Sequence, residues 1–124
     1  SVAALADRRI ELAGPAGARL ASRDLHALVA LGMPIGSNAE AFLARTPAAV
    51  GRKPDPALMA QLSAASSRRA AGEVAIHAAL ALGEGAETLD ATELVILITA
   101  MRDAGIGDAA RAVAVEAIIG GQAR

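Results

Sequence analysis

Five consecutive aliphatic residues, Leu94-Val95-Ile96-Leu97-Ile98, constrain this chain more than any other stretch. They lie between Asp90, with Glu93 three residues on, and Gly105. Asp at a helix N-cap with Glu three positions later is a capping-box pattern, and glycine after a periodic segment ends a helix. The stretch therefore predicts a helix from Asp90 that stops at Gly105. A second helix is expected over Ala109–Ile119, capped by Asp108. A helix apolar on every side belongs in the middle of a domain, and this one is expected to be covered all round.

Composition agrees with helix. Of the 124 residues, 54% are apolar and only Phe42 is aromatic, so the core has to be aliphatic. Alanine is the strongest helix former and lets helix axes approach closely. The length suits one domain, 1–124, with a real core. A formal net charge of −1 is a poor footprint for nucleic acid, so no nucleic-acid partner is expected. The lack of cysteine excludes a disulfide framework and thiol chemistry. No apolar run has the length of a membrane span.

Asp7, Arg8 and Arg9 come too early for a signal-peptide core. The compartment stays open, with the cytoplasm the simplest expectation. The chain begins at Ser1 rather than Met, so a fragment or processed form stands as an alternative to a self-contained domain. Lys53 is the only lysine among twelve basic residues, which fits a GC-rich bacterial source.

The remaining punctuation gives five more helices. Val2 to Ala13 ends at Gly14-Pro15. Ser22 or Asp24 caps a second, which runs to Gly32. Ser37 and Glu40 form a capping box for a short third through Phe42 and Leu43. Residues 47–54 are irregular. Asp55-Pro56 pairs an N-cap residue with proline at the first helical position, the clearest start signal in the chain. That fourth helix runs through Leu58, Met59 and Leu62 towards Arg69, and its polar later part is expected at the surface or frayed. Gly72 separates it from a fifth, Glu73 to Leu82. The tail from Gly120 is expected to fray. The fold class is thus all-α, with six or seven short helices packed as antiparallel hairpins.

His26-Ala-Leu-Val-Ala-Leu-Gly32 parallels His77-Ala-Ala-Leu-Ala-Leu-Gly83, which suggests duplicated units over 22–70 and 73–119. The segment LVILITAMRDAGIGDAARAVAVEA, best over residues 94–117, resembles one helical hairpin of a tetratricopeptide-like α-solenoid. Its Gly-containing turn, acidic cap and closely spaced alanines carry the likeness. The resemblance implies stacked helix pairs and a non-enzymatic scaffold that binds peptides or partner helices.

Other motifs carry less. Gly105-Ile-Gly107-Asp-Ala-Ala110 fits a relaxed dinucleotide fingerprint, but residues 100–104 separate it from the apolar run, where the glycine should follow a strand at once. His26 and His77 lack neighbouring ligands at metal spacing, and no carboxylate pair stands out, so no catalytic, cofactor or metal residues are assigned. Arg8-Arg9, Arg52-Lys53 and Arg68-Arg69 are expected on solvated faces, or together as one patch. The excess of aliphatic residues points to a protein partner, or a second copy, bound through an apolar face. His26, Phe42, Leu58, Met59, Leu62 and His77 are the candidates. The alternatives are a small-ligand binder or enzyme using an interhelical pocket and, behind it, a nucleic-acid binder.

Overall fold

The computed structural model describes residues 1–122. The architecture is all-α: α1 (Val2–Ala13), α2 (Ala18–Ala30), α3 (Ser37–Arg45), α4 (Pro56–Ser67), α5 (Ala71–Leu82), α6 (Ala91–Asp103) and α7 (Gly107–Gln122), with a 3-10 turn at Ala86–Thr88. Helix α6 packs against α2, α4, α5 and α7. The main core gathers around Leu94, Leu97, Ile98 and Met101 of α6, with Leu62, Val74 and Leu89. A smaller cluster under α1 joins Ala6, Ala21, Leu25, Ile35, Ala39 and Phe42. Alanines at 21, 27, 39, 65, 81, 86, 110 and 117 are fully enclosed, so close approach across small side chains is the packing mode.

Several helix ends lie where the local chemistry puts them. Asp55 accepts from the N–H of Ala57 with Pro56 at the first helical position, and Asp90 accepts from Thr92. The N–H of Asp90 donates to the Arg52 carbonyl at 2.9 Å, so Arg52 takes the place that Glu93 would hold in a capping box. Helices α2 and α6 end in Schellman motifs. In α6 the N–H of Ile106 reaches the Met101 carbonyl and that of Gly105 reaches Arg102, with Gly105 at φ 86°.

Other ends differ from expectation. Helix α2 starts at Ala18, because Ser22 and Asp24 are committed to tertiary partners: Ser22 donates to the Thr46 carbonyl and Asp24 accepts from Arg9. Gly36 is the N-cap of α3, so Ser37 is its first helical residue and forms no capping bond. The reversal after α4 is made by Arg69 at φ 55°, which frees Gly72 to join α5. The end of α4 is not frayed, since Ala65 and Ser66 are buried and Ser66 donates to the Ala100 carbonyl at 2.7 Å. Asp108 lies in the first turn of α7, paired with Arg111, rather than at its cap. Helix α7 continues through Gln122 because Gly121 is buried against Arg23; of the expected frayed tail, Ala123 and Arg124 lie outside the described residues.

The connector between α5 and α6 is held by two arginines. Arg23, 3% exposed, donates from Nη1 to the carbonyls of Glu87 and Leu89 and from Nη2 to that of Ala117. Arg52 donates to the carbonyls of Ala81 and Leu82 and to Thr88 Oγ1. Its backbone adds a single bridge to Leu89. Gly51 is required there: a Cβ would come within 2.6 Å of the Thr88 carbonyl oxygen. Of the basic pairs, Arg8, Lys53, Arg68 and Arg69 are exposed as expected, whereas Arg9 and Arg52 are partly buried and turn to Asp24 and to the Ala81 and Leu82 carbonyls.

Two outcomes follow for stability. Arg23→Met keeps the stem and removes the donors, leaving buried carbonyls short of partners. It is expected to lower unfolding free energy by about 3 kcal/mol, against under about 1 kcal/mol for the exposed Arg102→Met, read from urea midpoints. Asp24 is 4% exposed, and burial raises its carboxyl above the usual value despite the nearby Arg9 and Arg23. A folded-state pKa above the unfolded one stabilises the fold most below the unfolded value, and that contribution fades as pH rises through the folded one. The stability of the wild type minus that of Asp24→Asn should therefore fall as pH rises from the ordinary aspartate value through the raised, folded-state one. A rising difference would contradict this.

Candidate partner-binding groove

The aliphatic run of α6 is not covered all round. Leu94, Leu97 and Ile98 are buried, whereas Val95 and Ile96 are only partly so. Thr92, Val95, Ile96 and Thr99 fall at i, i+3, i+4 and i+7, one face of a helix. That face is the floor of a surface groove. The walls are α2, through His26, and α4, through Ser63, Ser66 and Ser67. The α4 wall carries only short serine side chains, so it does not close over the floor. This is why the expected full cover fails.

The groove has two ends of different chemistry. One, about 250 Å³, is lined by His26, Ala48, Ala91, Thr92, Val95 and Ile96. It is apolar apart from the imidazole and a hydroxyl. It runs over Val95 and Ile96 into a stretch of about 400 Å³ edged by serines and Thr99. That stretch continues into a cavity of about 500 Å³ lined by Ser66, Ser67, Arg69, Arg102 and Asp103. From Thr92 to Asp103 the floor is about 16 Å long, at 1.5 Å per helical residue. The guanidinium groups at the polar end are engaged by protein carbonyls: Arg69 donates to Asp103 and Arg102 to Ala30.

The candidate residues are not brought together. His26 lines the apolar end. Leu58 is half-buried against the main core. Met59 and Leu62 belong to that core, 7% and 0% exposed, and Phe42 to the cluster under α1 with Arg45 over its ring. Those three side chains are enclosed, so they offer no surface to a partner: their helical spacing recorded core, not interface. His77 is half-buried on α5 and does not line the groove. Sequence reasoning missed Val95 and Ile96, because an unbroken apolar run has no periodicity to mark its uncovered side.

The histidines share one local geometry. Each directs Nδ1 to the carbonyl four residues back, Ser22 at 2.8 Å and Glu73 at 2.7 Å. A carbonyl only accepts, so Nδ1 carries a proton in each ring. Among the described residues no group of three or more His, Cys, Asp or Glu is placed to hold a metal ion. Nor is any helix among them long and apolar enough to cross a membrane. Gly105 and Gly107 lie in the turn between α6 and α7, and a helix rather than a strand precedes them, so the dinucleotide fingerprint lacks its context. In comparisons with known proteins, no family model, no curated protein and no solved structure matches the chain.

Neighbouring positions on α6 should respond differently to truncation. Leu97→Ala opens a void in the core and is expected to cost about 3 kcal/mol, while Ile96→Ala at the groove floor costs about 1 kcal/mol. Equal losses in denaturant titrations would mean that the floor is packed like the core.

Proposed function

We propose that the chain is a non-catalytic helical interaction module whose α2–α6–α4 groove takes an amphipathic helix of a protein partner. The observation that supports this most is the partial exposure of Val95 and Ile96 in the middle of the aliphatic run Leu94–Ile98. Leaving aliphatic surface in water costs about 25 cal/mol per Å², and a partner's apolar stripe would remove that cost. The floor spans about three helical turns, enough for anchors at i, i+3 and i+7. The serine and threonine hydroxyls along the polar stretch suit the hydrophilic flank of such a helix. The resemblance of residues 94–117 to a tetratricopeptide-like hairpin leads to the same class, a scaffold that binds helices and peptides.

A small-ligand site is the second reading, favoured by the His26 end alone. That end is about 250 Å³, below the usual range for ligand cavities, and continues along α6 instead of closing. Its lining offers one imidazole and one hydroxyl as polar groups, few for fixing a small molecule.

A photo-crosslinking residue at exposed Thr92, compared with one at exposed Glu40, tests the proposal in cells of the source. The expected result is a discrete adduct from Thr92 that disappears with Ile96→Glu, while the purified variant stays folded by circular dichroism. An adduct equally strong from Glu40, or unaffected by Ile96→Glu, would remove the groove as the site.

A further inference from the structure

Helix α1 contributes no residue to the main core, whose first member along the chain is Ala27. It rests instead on α2 and α3, over the smaller cluster of Ala21, Leu25, Ile35, Ala39 and Phe42. Its inner stripe is Val2, Ala6, Ile10 and Ala13, of which Ala6 alone is buried. Leu5 and Leu12 are 70% exposed. A notch of about 360 Å³ between Arg9, Leu12, Leu20, Gly121 and Gln122 undercuts its second half. A helix that hides so little apolar surface gains little by staying docked, and the entropy of its 12 residues opposes that gain.

Few bonds hold it there. Among the described residues no backbone hydrogen bond joins α1 to α2 or α3. Two side-chain contacts do: Arg9 Nε donates to Asp24 Oδ2 at 3.0 Å, and Asn38 donates to Asp7 at 3.0 Å across exposed surface. The chain leaves α1 through Gly14, at φ 60° and ψ −173°, a conformation that suits glycine. A side chain at Gly14 would meet nothing within 4 Å, so this pivot is free of packing.

The seat under α1 is held by other means. Arg23 ties α2 to α7 and to the α5–α6 connector, and Arg102 of α6 donates to the Ala30 carbonyl. Ser22 donates to the Thr46 carbonyl at the end of α3, and the N–H of Ala49 donates to the Arg19 carbonyl. None of these bonds involves α1. We infer that α1 is a lid that swings off α2 and α3 as a unit, pivoting at Gly14, while α2 to α7 stay folded. The Arg9–Asp24 pair is its latch, since opening separates the two and the pair counts only in the closed form. Opening uncovers the seat that holds Phe42, the one aromatic residue of the chain.

Native-state amide exchange on the full chain reads this opening directly. Amides in the second and third turns of α1 should exchange at least about 100-fold faster than those of the α6 run, and almost independently of urea. Amides of α2 and α6 should follow the steep urea dependence of global unfolding, and those of α3 should outlast α1. Leu97→Ala weakens the main core with the lid open or closed, so it should raise α6 exchange about 100-fold and leave α1 within about twofold. Ile98→Val gives the same pattern at about fivefold in a variant mild enough to fold. Arg9→Met weakens only the closed form, so it should raise exchange of α1 and α6 alike by about tenfold. The lid is overturned if α1 exchanges with the rate and urea slope of α6, or if its exchange rises with that of α6 in either core variant. Loss of protection in α2 or α3 together with α1 would remove the pivot at Gly14, and unchanged α1 exchange in Arg9→Met would remove the latch.

Discussion

Arginine-to-carbonyl hydrogen bonds hold the parts of this fold that apolar packing leaves unattached. The connector between α5 and α6 has to cross from one helix to the next with its carbonyls partly out of water. Arg23 reaches it from α2, and Arg52 from the loop before α4. Each guanidinium brings several donors in a rigid fork, so one side chain satisfies carbonyls from more than one residue. Arg23 also reaches Ala117 of α7, which fixes the last helix to the second. Packing alone would leave α2, α5 and α7 with small, alanine-lined contacts of limited directionality.

The alanine-rich composition explains both the tight core and the open groove. Where two helices meet through alanines, their axes approach and no space remains, as at Ala27, Ala81 and Ala110. Where the α4 wall is built from Ser63, Ser66 and Ser67, the small side chains cannot reach across the floor. The floor residues Val95 and Ile96 stay partly exposed for that reason. With Phe42 held in the smaller cluster and no other aromatic in the chain, no large ring is present to fill the gap.

Local signals in the sequence located what local chemistry decides. Asp55-Pro56, Asp90 and Gly105 each act within a turn of their own position, and each stands where the pattern put it. Ser22, Asp24 and Ser37 also carried local cap signals and do not cap. The first two are drawn away by partners far along the chain, Thr46 and Arg9, and the third is displaced one residue by Gly36. The arginine clasps were illegible for the same reason, since Arg23 bonds to residues 64 to 94 positions away. The groove was half legible. Its apolar floor was in view as a run, but which side lay open depended on the walls that two other helices supply.

Arg69 shows how one residue serves both the backbone and the rim of the groove. Helices α2 and α6 end with glycine in the left-handed region, and α4 makes the same reversal with arginine at φ 55°. A residue with a Cβ is disfavoured there by roughly 1 kcal/mol relative to glycine. Glycine would relieve that strain, but it would leave the Asp103 carbonyl at the end of α6 without the Arg69 guanidinium, 3.2 Å away. One net hydrogen bond from a charged donor is worth about 1.5 kcal/mol or more when screened little by water, and less at an exposed site such as this. The two effects are of similar size, so stability alone does not select arginine. What arginine adds is a fixed tie between the last turns of α4 and α6, the two helices whose separation sets the width of the groove at its polar end.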